Sequence, residues 1–114
     1  MGDKRRLKRE NTIFYLETLD GSTEKTLGRL IDVTGEGVML MSESPIEPGT
    51  RHLLRIKLPR EIARASQVEF EAECRWSRKS VNEDYFDSGF RITQASEKDR
   101  DLIDLLIKFF SFSG

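Results

Sequence analysis

Five of the six residues from Lys4 to Arg9 are basic, and the run stops just short of the apolar stretch Ile13-Phe14-Tyr15-Leu16. Within it, Arg5 and Arg9 stand four apart. An arginine presents a planar fork that pairs bidentately with phosphate and also stacks on flat rings. Two of them on one segment can close on one ligand from different sides. By itself the run equally suits a solvated chain terminus. A second group is Asp32-Val33-Thr34-Gly35-Glu36-Gly37. Asp32 and Thr34 are two apart at the end of a strand pattern, so both side chains leave the same face. A carboxylate is a pure acceptor, suited to the paired N–H donors of a guanine edge. The Thr34 hydroxyl and a closely approachable backbone at Gly37 suit a phosphate. Alone, these residues are also at home in an ordinary hairpin turn.

Other chemistry has little support. The one histidine, His52, reads as a surface residue of a polar loop before a strand. Cys74 falls on the inward alternation of its strand, where a small apolar residue belongs. One His and one Cys cannot build a zinc site without several carboxylates, so no metal site is expected. Glu69, Glu71 and Glu73 share a strand face opposite apolar residues and read as solvated. No Walker sequence or GxGxxG occurs. The expectation is a protein without catalytic residues or a cofactor.

The chain of 114 residues, 37% hydrophobic and 34% charged, suits one globular domain with a core of its own. The net charge of −1 is unevenly spread: residues 1–10 carry +3, the rest −4. A cationic arm on an acidic body points to a local anionic target rather than to broad nucleic-acid coating. No apolar run approaches the roughly 18 residues of a membrane span, and Ile13 to Leu16 is too short for a signal peptide. Arg6 breaks the myristoylation pattern. A single cysteine favours a reducing cytoplasm, with no membrane insertion.

Strands must position these residues. Val68, Phe70, Ala72, Cys74 and Trp76 alternate with polar residues from Gln67 to Arg78, which predicts one buried and one wet face. Arg51 to Leu58 alternates likewise, between Pro48-Gly49 and Pro59. Thr26 to Val33 and Val38 to Ser42 flank the tight 34–37 connection. Thr12 to Leu19 precedes a hairpin-like Asp20-Gly21, and Tyr85 to Thr93 makes a sixth strand. Ile62 to Ser66 fits either a helical turn or a loop. From Ser96-Glu97-Lys98-Asp99, close to a capping box with Asp in place of Glu, the period becomes helical. Leu102, Ile103, Leu106, Phe109 and Phe110 form the apolar stripe. The fold expected is mainly β: a six-stranded antiparallel barrel, which leaves no exposed edges, with a C-terminal α-helix packed against it. Residues 1–11 form a flexible basic arm and residues 12–114 the barrel domain.

Arg5-x-x-x-Arg9 ahead of the first strand, then Asp32-x-Thr34-x-x-Gly37 between the second and third, resembles the PilZ family, whose pattern is RxxxR followed by (D/N)xSxxG. Glu73-Cys74-Arg75-Trp76, Gly89-Phe90-Arg91-Ile92 and Ser96 to Arg100 resemble it too, so the likeness runs over essentially the whole chain. It implies a six-stranded barrel and a bacterial receptor for the second messenger cyclic di-GMP. By position, Arg5 and Arg9 would engage guanine and phosphate, Asp32 a guanine edge, and Thr34 would stand where the family has serine. Gly37 would permit close backbone approach. Lys4 and Arg6 add positive charge beside the motif, and Trp76 is either an aromatic neighbour of the site or part of the core. The resemblance further implies a ligand-gated switch acting on an unidentified protein effector, in motility or biofilm regulation. Two other readings compete: a degenerate adaptor that binds protein but no nucleotide, for which Thr34 is the best support, and a small barrel for single-stranded nucleic acid. The second is disfavoured by the acidic body and by Phe70, Phe86 and Phe90 in strand alternation.

Overall fold

The period-two segments form six antiparallel strands in the computed structural model, which describes residues 15–113. They are β1 (Leu16–Asp20), β2 (Thr26–Val33), β3 (Gly37–Ser42), β4 (Arg51–Lys57), β5 (Gln67–Lys79) and β6 (Phe86–Gln94), followed by α1 (Glu97–Ser113). Expected and observed boundaries agree within one or two residues wherever both are described. For β1, residues 12–14 of the expected strand lie outside the described residues, as does the arm expected at 1–11. Residues 60–62 make a turn closed by the Ile62 and Ala63 N–H groups on the Pro59 carbonyl, and the chain runs on as a loop to Ser66.

The strands close in the order β1-β2-β3-β6-β5-β4. Closure follows from β1, which pairs with β2 on one edge (Leu16↔Leu30) and with β4 on the other (Thr18↔Ile56). Among the described strands, each therefore has a neighbour on both sides. Inside stand Leu30, Leu40, Leu54, Ile56, Val68 and Ala72, all with no exposed surface. Buried hydroxyls are satisfied locally: Thr18 Oγ1 donates to the Leu16 carbonyl at 3.2 Å, and Ser88 Oγ donates to Ser77 Oγ at 2.8 Å.

α1 lays Leu102, Ile103 and Leu106 into the core, with Phe110 half-buried beside them. Its start is fixed by Ser96, whose Oγ accepts the Asp99 N–H at 3.1 Å as an N-cap. Asp99 does not complete a reciprocal box. Its carboxylate instead accepts the Ser96 hydroxyl at 2.9 Å and the Glu69 backbone N–H at 3.2 Å, which ties the helix to β5. The shorter side chain found a strand rather than the cap backbone.

Two local expectations are corrected. His52 is not in a loop: it is the second residue of β4, half-buried, on the side of the strand that carries Leu54 and Ile56. Its ring meets the Phe90 ring edge-on at 5.8 Å between centroids, and its Nε2 lies 2.8 Å from Thr50 Oγ1. The β1–β2 connection is longer than a two-residue Asp20-Gly21 turn. It runs to Lys25, with the Glu24 N–H donating to the Asp20 carbonyl at 2.6 Å and the left-handed position falling on Glu24 (φ 64°).

Candidate functional site

Asp32 and Thr34 do leave the same face, but through a device the alternation hides. β2 pairs Leu30 with Leu40 and then Asp32 with Met39, so Ile31 is an extra residue. In an unbroken strand Asp32 would share the inward face of Leu30. The bulge turns it outward and returns Val33 to the core, where it is 4% exposed. β5 repeats the device. Cys74 pairs with Phe90 and Trp76 with Gly89, leaving Arg75 as the extra residue. Cys74 stays fully buried, while Trp76 swings to the outer surface and is 36% exposed. The strict inward alternation read through Trp76 therefore ends at Cys74, and of its two readings Trp76 takes the surface one.

These re-aimed residues meet. Asp32, Thr34, Gly37 and Trp76 line one open groove of about 780 Å³, together with Gly35, Glu36, Met39, Arg75, Gly89, Arg91 and Arg100. Its floor is the outer surface of β3, β6 and β5, where Gly37 faces Arg91 and Met39 faces Gly89. Two glycines keep that floor low. A Cβ on Gly37 would overlap the Phe90 carbonyl, and one on Gly89 would overlap the Trp76 indole. The close approach expected at Gly37 is thus made by the protein's own β6.

The turn between β2 and β3 is organised by Thr34. Its Oγ1 accepts the N–H groups of Glu36 and Gly37, both at 3.3 Å, while the Thr34 N–H donates to the Gly37 carbonyl at 2.8 Å. The hydroxyl expected to meet a phosphate thus also shapes the loop. Asp32 Oδ1 accepts its neighbour's Val33 N–H at 2.9 Å, and its side chain is otherwise exposed.

Three groove residues were not singled out by their spacing in the chain: Arg75 on β5, Arg91 on β6 and Arg100 on α1. All are exposed, and none forms an ion pair among the described residues. Each sits within or beside a stretch that carries the family resemblance. Only the register shows that β5, β6 and α1 bring them to one place. Arg5, Arg9, Lys4 and Arg6 lie outside the described residues. What the structure gives is where β1 begins: Leu16 is opposite Leu30, two residues before Asp32 on β2.

Among the described residues no group of three or more His, Cys, Asp or Glu could hold a metal ion. No described helix is long and apolar enough to cross a membrane.

The PilZ domain family profile matches residues 3–109, and the chain belongs to that family. Among solved structures it is similar to the Bacillus subtilis inhibitor of motility MotI/DgrA, at 18% identity and a TM-score of 0.66. That match covers 82% of this chain and 46% of the other, so the chain spans about half the length of that protein. It is also similar to the PilZ domain of YcgR from Escherichia coli, solved with c-di-GMP, at 16% identity and a TM-score of 0.63. Coverage there is 86% of this chain and 82% of the other. At these identities the likeness is one of fold. A search of curated proteins found no significant match.

Proposed function

We propose that this chain is a bacterial, cytoplasmic cyclic di-GMP receptor. The observation that carries the reading is the convergence of Asp32, Thr34, Gly37 and Trp76 on one groove, walled by three arginines that form no ion pair among the described residues. Membership of the PilZ family and the fold shared with a nucleotide-bound YcgR domain support the ligand's identity.

The chemistry fits a doubly charged purine dinucleotide. Asp32 offers a carboxylate to the N–H donors of a guanine edge. Arg75, Arg91 and Arg100 set a positive field for two phosphates, and the exposed Trp76 ring offers a base a stacking surface. Arg5 and Arg9 are the reserve: bound ligand holds residues 1–11 over the groove, with Lys4 and Arg6 adding charge. The Leu16↔Leu30 register favours this, because β1 begins only two residues along from Asp32 on the neighbouring strand. Only six residues separate Arg9 from Leu16, a reach of at most about 25 Å. Closing that arm changes the surface shown to a protein effector in motility or biofilm control.

Calorimetric titration of cyclic di-GMP into the wild type and into Arg5→Ala/Arg9→Ala tests this. Saturable binding at micromolar concentration or below, lost in the double variant, is expected. No binding by the wild type, with an unchanged melting temperature, overturns it and favours the adaptor reading.

A further inference from the structure

Trp76 is held between two neighbours that treat its ring differently. Gly89 lies beside the indole where any side chain would collide with it. The Arg78 guanidinium carbon lies 4.7 Å from the indole centroid, over the ring. Arg78 follows Trp76 by two, so both project from the same outer surface of β5. It forms no ion pair among the described residues. Directly across the strand pair, Arg78 faces Asp87. The Asp87 Oδ1 atom is buried and has no hydrogen-bond partner among the described residues. The arginine therefore stacks on an aromatic ring while one oxygen of the carboxylate opposite it goes unsatisfied.

We propose that Arg78, which does not itself line the groove, is a placeholder over the Trp76 ring, displaced by an incoming purine and received by Asp87. The inference deepens the nucleotide reading of the groove and rests on it. A guanidinium and a purine compete for the same π surface, and the purine makes the stronger stack. Displacement lowers the apparent affinity by the strength of the arginine–indole pair it breaks, a factor of about two to five for an exposed cation–π pair. The Asp87 carboxylate offsets part of that penalty, because Arg78 gains a charge-assisted partner on leaving. Arg78 thus sets affinity, and with it the messenger concentration at which the receptor fills, without touching the ligand.

The test is titration of cyclic di-GMP into the full chain as wild type, Arg78→Ala, Trp76→Ala, Trp76→Ala/Arg78→Ala and Asp87→Asn. Arg78→Ala should bind about two- to fivefold more tightly than wild type. That gain should vanish in the Trp76→Ala background, because the coupling is between those two residues. Asp87→Asn should bind more weakly than wild type. Arg78→Ala binding as well as wild type or worse overturns the proposal, the second result making Arg78 a direct partner of the ligand. Binding by neither overturns the nucleotide reading and this inference with it, whereas failure of the inference alone leaves wild-type binding intact.

Discussion

Gly89 and Trp76 are register partners on adjacent strands, and the indole of one fills the space left by the absent side chain of the other. The pair fixes where an exposed aromatic ring lies beside the groove. Gly89→Ala should evict the indole, because the new Cβ would overlap it. Trp76 is the only tryptophan, so its emission reports the change directly as a red shift. The expected loss of stability is about 1–3 kcal/mol, measured by urea unfolding, with weaker cyclic di-GMP binding. Unchanged emission would show that the ring has another seat.

The two glycines of the β2–β3 turn should behave oppositely. A Cβ on Gly37 meets the Phe90 carbonyl, a backbone atom that cannot step aside alone, whereas one on Gly35 meets nothing within 4 Å. Gly37→Ala should destabilise by about 1–3 kcal/mol and distort the β3–β6 pairing. Gly35→Ala should stay within about 0.5 kcal/mol of wild type. Thermal melts of both variants decide it.

Thr34 holds its loop through a hydroxyl that serine also possesses. Thr34→Ser should keep the loop and bind cyclic di-GMP at least as well as wild type, since serine lacks the methyl that stiffens the rotamer. Thr34→Val keeps the shape and loses the acceptor for the Glu36 and Gly37 N–H groups. It should cost about 1 kcal/mol of stability and weaken binding. Equal affinity for all three would separate the hydroxyl from function.

Arginines at 5 and 9 should act through charge-assisted hydrogen bonds. Each such bond contributes about 1.5–3 kcal/mol, so removing either residue should weaken binding at least about tenfold. Arg91→Ala should weaken it as well, and raising salt should narrow the gap between variant and wild type. A loss confined to the terminal arginines would mean that the groove wall is electrostatically idle.

Cys74 should be inert until the barrel opens. Burial pushes its thiol above the usual range, so the reactive thiolate is disfavoured in the folded chain. A raised folded value means the unfolded chain loses that proton first. The contribution to stability is therefore full below the unfolded value, and it declines as pH rises toward the folded one. Labelling by a thiol-specific disulfide reagent at about pH 8 should be slow and should track unfolding in urea. Rapid labelling of the folded chain would contradict the burial.

Much of this was legible in the chain. Alternation marked the strands because one face of each packs inward and the other meets water or the groove. The helical stripe from Leu102 marked α1 for the same reason. What the alternation could not show were the bulges at Ile31 and Arg75, since an extra residue is defined only by the partner strand. Those two slips decide which way Asp32 and Trp76 point. Arg91 and Arg100 were equally hidden as groove residues, because their nearness to Asp32 is a matter of topology rather than spacing. His52 misled because a polar residue in a strand of alternating apolar positions looks like the loop before it.

The groove floor also has a kinetic meaning. Its central pairing joins Gly37 to Arg91, and its wall includes Arg100 from the helix that follows. Pairings between such distant positions form late, after long loops have closed. A chain emerging from the ribosome has the Asp32–Gly37 turn early but no floor beneath it until β6 docks. A nucleotide bound in this groove, as proposed, would select only finished molecules, and its binding energy would add to the native state alone. In the proposed receptor, messenger binding and completed folding would thus be read at the same surface.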